Sequence, residues 1–177
     1  MPGATLFETV RTRVSAADEA DGDALSALFE RCEDFFQLVY GQPPGPAEVQ
    51  SFFVALPDGK TYDDKFAAAI FDTDGRVIGA LDAIRDYIEP GRWALGLMLL
   101  DPEHRGAGFG REVYEGFERW AAGLGARLIR LLVQVQNTGA HAFWTRMGFE
   151  QVDTVHQRTG ILDSECAVMA RRVPEAS

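Results

Sequence analysis

Glycine recurs at every second position of Arg105-Gly106-Ala107-Gly108-Phe109-Gly110, between an apolar run from Trp93 to Leu100 and a periodic segment from Arg111 to Ala122. The run reads as a strand and the segment as a helix, so the glycines form a turn that opens a helix. Such a turn lets several backbone N–H groups converge on one point, and the positive end of the helix dipole adds attraction for an anion. Spacing narrows the choice of anion. A dinucleotide-binding turn needs a glycine three residues after its second, where Val113 stands relative to Gly110, and no Gly-Lys-Ser/Thr is present for a nucleoside-triphosphate loop.

The remainder of the chain supplies the setting. With 177 residues, 46% of them hydrophobic, it fits one domain, 1–177, with a substantial core. Acidic residues outnumber basic ones by 27 to 17, a formal charge of −10, which argues against a nucleic acid or an anionic membrane as partner. Against that background Arg105 and Arg111, flanking the turn, mark a local anion site. Cys32 and Cys166 are too few for a disulfide framework and imply free thiols in a reducing cytoplasm. His104, His141 and His156 lack paired metal-ligand spacing, so no metal is expected. Met1 to Val10 lacks the pattern of a signal peptide, and no stretch approaches the roughly 20 apolar residues of a membrane span, so a soluble cytoplasmic protein is expected.

Val10, Thr12 and Val14 alternate with Arg11 and Arg13, as in a short first strand. Leu25, Leu28, Phe29, Cys32, Phe35, Phe36 and Val39 recur at the spacing of one helix, and Pro46 opens a second that Pro57 stops. Lys65 to Phe71 and Val77 to Ile84 flank an Asp-Gly turn and form a hairpin, followed by Trp93 to Leu100 as a central strand buried on both faces. The helix after the glycine turn, a strand from Leu128 to Val135, a short helix from Thr138 to Met147 and strands at Glu150 to His156 and Glu165 to Arg172 complete the order. The expected architecture is a mixed α/β or α+β layer structure of about seven strands and four helices.

A second motif lies in the next strand and helix: Asn137-x-x-Ala140-x-x-Phe143-Trp144-x-x-Met147-Gly148-Phe149. Together with Leu100-Asp101-Pro102-Glu103-His104-Arg105 and the spacing Arg105-x-x-Gly108-x-Gly110, it resembles the signature of the GNAT superfamily of N-acetyltransferases. The resemblance implies a central mixed sheet whose two parallel strands, Trp93 to Leu100 and Leu128 to Val135, splay into a wedge. It implies acetyl-CoA as cosubstrate, with the pyrophosphate on the N–H groups of Arg105, Gly106, Ala107, Gly108, Phe109, Gly110 and Arg111. The pantetheine arm would pair with backbone at Leu99 and Leu100, beside Asn137 and Phe143. Asn137 is equally suited to be an ordinary helix N-cap.

Acetyl transfer to an amine requires an unprotonated nucleophile, a polarised carbonyl and a proton for the leaving thiolate. The phenol that supplies the proton in many family members is replaced here by Trp144, whose indole donates a hydrogen bond but is no acid of comparable strength. His141, one turn earlier, or Tyr114 could substitute, as could water. The strand position of the usual glutamate base falls near Ala94 or Gly96, which leaves Asp82, Asp86 and Glu89 as candidate bases. Tyr40 to Pro44 and Gln157 to Ser164 would border the acceptor cleft. The expected acceptor is an amine, a small molecule or a peptide terminus, and the expected assembly a monomer or homodimer. The missing acid and base leave open a second reading, an acyl-CoA-binding sensor without catalysis. Transfer to oxygen, or of a longer acyl group, is a third.

Overall fold

In the computed structural model, which describes residues 3–175, one eight-stranded mixed sheet runs through the chain in the order β1-β2-β3-β4-β5-β6-β8-β7. Its strands are β1 (Thr5–Glu8), β2 (Arg13–Ala16), β3 (Lys65–Phe71), β4 (Val77–Ile84), β5 (Arg92–Leu100), β6 (Leu128–Gln134), β7 (Glu150–Thr159) and β8 (Leu162–Arg172). The helices are α1 (Gly22–Arg31), α2 (Glu33–Tyr40), α3 (Pro46–Val54), α4 (Phe109–Gly123) and α5 (Thr138–Arg146). Neighbouring strands are antiparallel except β5 and β6, which run parallel because α4 carries the chain back across the sheet between them.

Helices cover both faces. Val113, Tyr114 and Phe117 of α4 and Trp144 of α5 share one buried cluster with Trp93, Leu95, Ile129 and Leu131. On the other face Leu25, Leu28 and Phe29 of α1, Phe36 of α2 and Phe52 of α3 pack on Ala69, Ala80 and Leu99. The central strands are therefore buried on both sides, as their continuous apolar runs require.

Three expectations need correction. The first strand is a hairpin: Val10, expected inside a strand, sits at its tip and is 92% exposed, because Thr9 N–H donates to the Thr12 carbonyl and closes the turn. This hairpin supplies the eighth strand. The apolar helical stripe from Leu25 to Val39 is interrupted at Cys32, which leaves helical geometry at φ −94° and ψ 25°. Glu33 and Asp34 then lie in the first turn of α2, where the helix dipole favours negative charge, so the break yields a fifth helix. The last two strands extend further than expected, to Thr159 and back from Leu162, so most of residues 157–164 is strand rather than hairpin connection.

Candidate active site

The parallel strands part soon after they meet. β5 and β6 are in register only from Arg92–Leu128 to Ala94–Arg130, and beyond these pairs their facing edges are open. A bulge at Gly96 aids the divergence, since Asp82 pairs with Leu97 and Ala83 with Leu95. The wedge belongs to a cleft of about 1090 Å³ that reaches from the glycine turn to α3.

At one end of the cleft, Gly106 and Gly108 adopt φ +74° and +86°, a region that side chains disfavour, and Gly108 caps α4. The N–H groups from Gly106 to Arg111 have no protein acceptor among the described residues. These donors sit at the positive end of a 15-residue helix and form a cradle suited to a diphosphate. Arg111 lines the cleft with a loose ion pair to Glu115 at 3.5 Å, leaving its guanidinium accessible to an anion.

Arg105 is committed elsewhere. Its Nη1 meets Asp34 Oδ2 at 2.6 Å and its Nε donates to the Leu100 carbonyl at 2.9 Å, so it ties the turn to α2 rather than offering a free charge. The bond from Arg105, followed by other effects, holds the Asp34 carboxyl below its usual range. Ala107 and Phe109, unlike Arg105, do not line the cleft. The Ala107 carbonyl accepts from Arg11 Nη1, and the Phe109 ring lies under the Arg11 guanidinium at 3.9 Å.

Those contacts belong to a clamp that no local pattern announces. The hairpin tip grips the first turn of α4: Thr9 Oγ1 and Arg11 N–H both donate to Glu112 Oε1, at 2.5 and 2.7 Å, and Arg11 Nε reaches Glu112 Oε2 at 2.8 Å. Replacing Glu112 by Ala removes these bonds and is expected to cost about 2 kcal/mol, given about 1.5–3 for hydrogen bonds to a charged group. Chemical denaturation measures that loss, and an unchanged midpoint would show the clamp to be energetically idle.

Backbone direction corrects one expected wedge contact. Asp101 N–H donates to Ile78 of β4, so by strand alternation the N–H and carbonyl of Leu99 also face β4, while those of Met98 and Leu100 face the wedge. The Leu99 carbonyl oxygen indeed lies toward Gly79 of β4. Leu99 therefore lines the cleft with its side chain only. The Leu100 carbonyl is taken by Arg105, leaving its N–H with the backbone of Met98 on the open edge.

Across the wedge, Asn137 does what an N-cap does: its Oδ1 accepts from Ala140 N–H at 3.2 Å, and the residue also lines the cleft. Phe143 lies against Gly110, where an added Cβ would come within 3.2 Å of the ring. Trp144 lines the cleft but is buried against Phe143, Tyr114 and Phe149. His141 is not among the lining residues. Tyr114 is excluded as an acid: its hydroxyl donates to Glu118 at 2.5 Å outside the cleft, and burial together with Glu118 raises its pKa strongly.

Of the three candidate bases only Asp82 lines the cleft. Asp86 accepts from Gly91 N–H at 2.7 Å and braces the loop between β4 and β5, while Glu89 is 59% exposed and paired with Arg92 at 2.8 Å. Asp82 Oδ1 meets Lys65 Nζ at 2.8 Å, and Lys65 is itself almost fully buried. The other oxygen, Oδ2, lies 3.6 Å from where a Cβ on Gly96 would stand, so a carboxylate from the neighbouring strand occupies the space beside the bulge. Burial pushes the Asp82 pKa up, with Lys65 opposing.

Two further residues stand here: Tyr40, from the segment expected to border the acceptor cleft, and Glu48, which sequence reasoning missed. Tyr40, at the end of α2, lines the cleft, and its hydroxyl has no hydrogen-bond partner among the described residues. Burial, then the charges of Glu48 and Asp82, raise its pKa. Glu48, in the first turn of α3, accepts from Gly45 N–H at 2.7 Å and also lines the cleft. The β7–β8 hairpin closes this side: Ile161 N–H donates to the Tyr40 carbonyl at 3.0 Å, and Gln157 and Thr159 line the cleft. The sequence placed Tyr40 in a segment bordering the acceptor cleft without giving it a role, and nothing local tied it to Asp82.

Comparison with known families agrees with this architecture: the model of the acetyltransferase (GNAT) family matches residues 25–149. The chain belongs to the GNAT family. An acetyltransferase from Thermus thermophilus superposes with a TM-score of 0.73 at 25% identity, over 93% of this chain and 98% of that one. The spermidine N-acetyltransferase of Vibrio cholerae, solved with CoA and spermine, shares the fold at a TM-score of 0.72 and 16% identity, over 92% and 95%. An uncharacterised N-acetyltransferase of Methanocaldococcus jannaschii is 36% identical over 58 residues, 33% of this chain and 26% of that relative. The match thus spans about a quarter of that relative. No helix among the described residues of this GNAT protein is long and apolar enough to cross a membrane.

Proposed function

We propose that this GNAT protein moves an acetyl group from acetyl-CoA to a primary amine, with both substrates held in the cleft at once. One observation carries the reading: the open edge of β5 leads from unpaired N–H donors at the α4 N-terminus to a half-buried carboxylate, Asp82, beside the wedge. Acetyl-CoA supplies the activated thioester. The cradle from Gly106 to Arg111 binds its diphosphate, and the N–H groups of Met98 and Leu100 hold the arm and polarise the carbonyl.

Asp82 Oδ2 takes a proton from the ammonium or attacking amine, directly or through one water. As the C–N bond forms and the C–S bond breaks, the thiolate needs a proton. The Tyr40 hydroxyl gives it, and the proton gained by Asp82 restores the phenol through solvent. Neither cysteine favours an acyl-enzyme: both are buried, and burial raises the Cys32 thiol to about 11. These observations favour direct transfer.

Calorimetric titration with acetyl-CoA, followed by thiol-release assays over a set of primary amines, tests the proposal. Binding together with release above the rate without amine is expected. Binding without amine-dependent release would instead favour the sensor reading. Tyr40→Phe should lower kcat about 100-fold, the low end of general-acid effects, with the KM for acetyl-CoA unchanged. An unchanged kcat would assign the thiolate's proton to water.

A further inference from the structure

The acceptor side of the cleft has a polarity gradient that distinguishes one kind of amine from another. On α3 and just beyond it, Glu48, Ser51, Phe52 and Ala55 all line the cleft, spaced as one helical stripe. From Glu48 to Ala55 that stripe extends about 10 Å at 1.5 Å per residue. Its first residue is acidic and stands near Asp82 and Tyr40, and past Ser51 the stripe is apolar. Leu56, Pro57, Ile84 and Tyr87 also line the cleft, and Ile84 pairs with Ala94, which pairs with Arg130 where the two parallel strands are still joined.

Negative charge is confined to the first end. The acidic lining residues are Asp34, Glu48 and Asp82, and Asp34 is already paired with Arg105. At the far end the charged lining group is Arg130, whose guanidinium stands 6.0 Å from the Tyr87 ring centre. A second ammonium there would meet apolar carbon and a like charge, and neither Asp86 nor Glu89 of the adjoining loop lines the cleft to offset its desolvation. The backbone at this end is also held in an unusual form: Asp86 and Ile88, on either side of Tyr87, have φ of +51° and +73°. For a β-branched residue such as Ile88 this conformation is costly, and it fixes the loop that presents Tyr87 to the cleft.

Building on the transferase reading above, we propose that the acceptor is a monoamine with an apolar, aromatic or aliphatic body rather than a polyamine. The ammonium lies between Asp82 and Glu48 beside Tyr40. The body extends along Phe52 and Ala55 toward Ile84 and Tyr87. The preference is thus opposite to that suggested by the polycation bound to the Vibrio cholerae neighbour.

The test uses the full chain saturated with CoA, titrated calorimetrically with 2-phenylethylamine and with spermidine, and in parallel the thiol-release rate with acetyl-CoA and each amine. At least a tenfold tighter Kd and a tenfold higher kcat/KM for 2-phenylethylamine are expected. Ala55→Glu, at an exposed position, places a carboxylate at the apolar end and should narrow or invert that ratio while leaving acetyl-CoA affinity unchanged. Equal or tighter binding of spermidine to the unmodified protein, no binding of either amine, or a ratio unmoved by Ala55→Glu would overturn the proposal. Selective binding of 2-phenylethylamine without acetylation would instead leave the preference standing and refute the transferase reading.

Discussion

Gly110→Val is expected to weaken acetyl-CoA binding by at least about 100-fold, roughly 2.7 kcal/mol, while the melting temperature changes little. Gly110 is not a positive-φ glycine, and valine is at least as good a helix former as glycine, so the backbone tolerates the change. The side chain does not fit so easily. A Cβ at this position would already approach two Phe143 ring carbons at 3.2 Å, and the two further methyl groups must displace the ring or occupy the wedge mouth. Either outcome takes space beside the N–H cradle. Gly108→Val is a less clean experiment, since Gly108 sits at φ +86° and strain would be mixed with the blocked site. Calorimetry on Gly110→Val and on the double variant Gly110→Val with Phe143→Ala separates the causes. If lost space is responsible, the double variant recovers part of the affinity. A Gly110→Val protein that is folded and binds acetyl-CoA normally would remove the diphosphate from this turn.

The turn was legible in the sequence because all its parts are local. Strand, glycines and helix succeed one another within a short stretch, and turn and cap conformations depend on near neighbours. The same holds for the hairpin from Lys65 to Ile84 and for the N-cap at Asn137. What escaped depends on partners far apart in the chain. Glu112 meets Thr9 and Arg11 across about a hundred residues, and the periodicity of residues 10–14 suited one strand as well as the second arm of a hairpin. The helix break at Cys32 left no trace, because the apolar stripe continues across it in phase. Leu99 and Leu100 could not be told apart without register, since a one-residue shift reverses which backbone groups reach the wedge. Among Asp82, Asp86 and Glu89 the sequence offered equal claims. Pairing with the bulged strand singles out Asp82, and turn geometry assigns Asp86 to bracing the loop.

Asp82→Asn should lower kcat by about 10²- to 10³-fold, within the range for loss of a positioned general base, with little change in acetyl-CoA affinity. The amide keeps the shape of the carboxylate but cannot accept the amine's proton. It also leaves the buried Lys65 ammonium without its counter-charge, so a measurable loss of stability should accompany the loss of rate. The pH profile separates catalysis from this structural effect. Burial raises the Asp82 pKa, and a base works only when deprotonated, so kcat/KM of the unmodified protein should fall with decreasing pH at a point above the ordinary carboxylate range. Lys65 acts in the opposite direction by favouring the charged form. Lys65→Met therefore raises the Asp82 pKa further, and the acidic limb should move to higher pH while the rate on the plateau is largely retained. A purely structural ion pair predicts no such movement. An acidic limb unchanged by Lys65→Met, or an Asp82→Asn protein with near-normal kcat, would reassign proton removal to solvent and leave Asp82 as a counter-ion for the incoming ammonium.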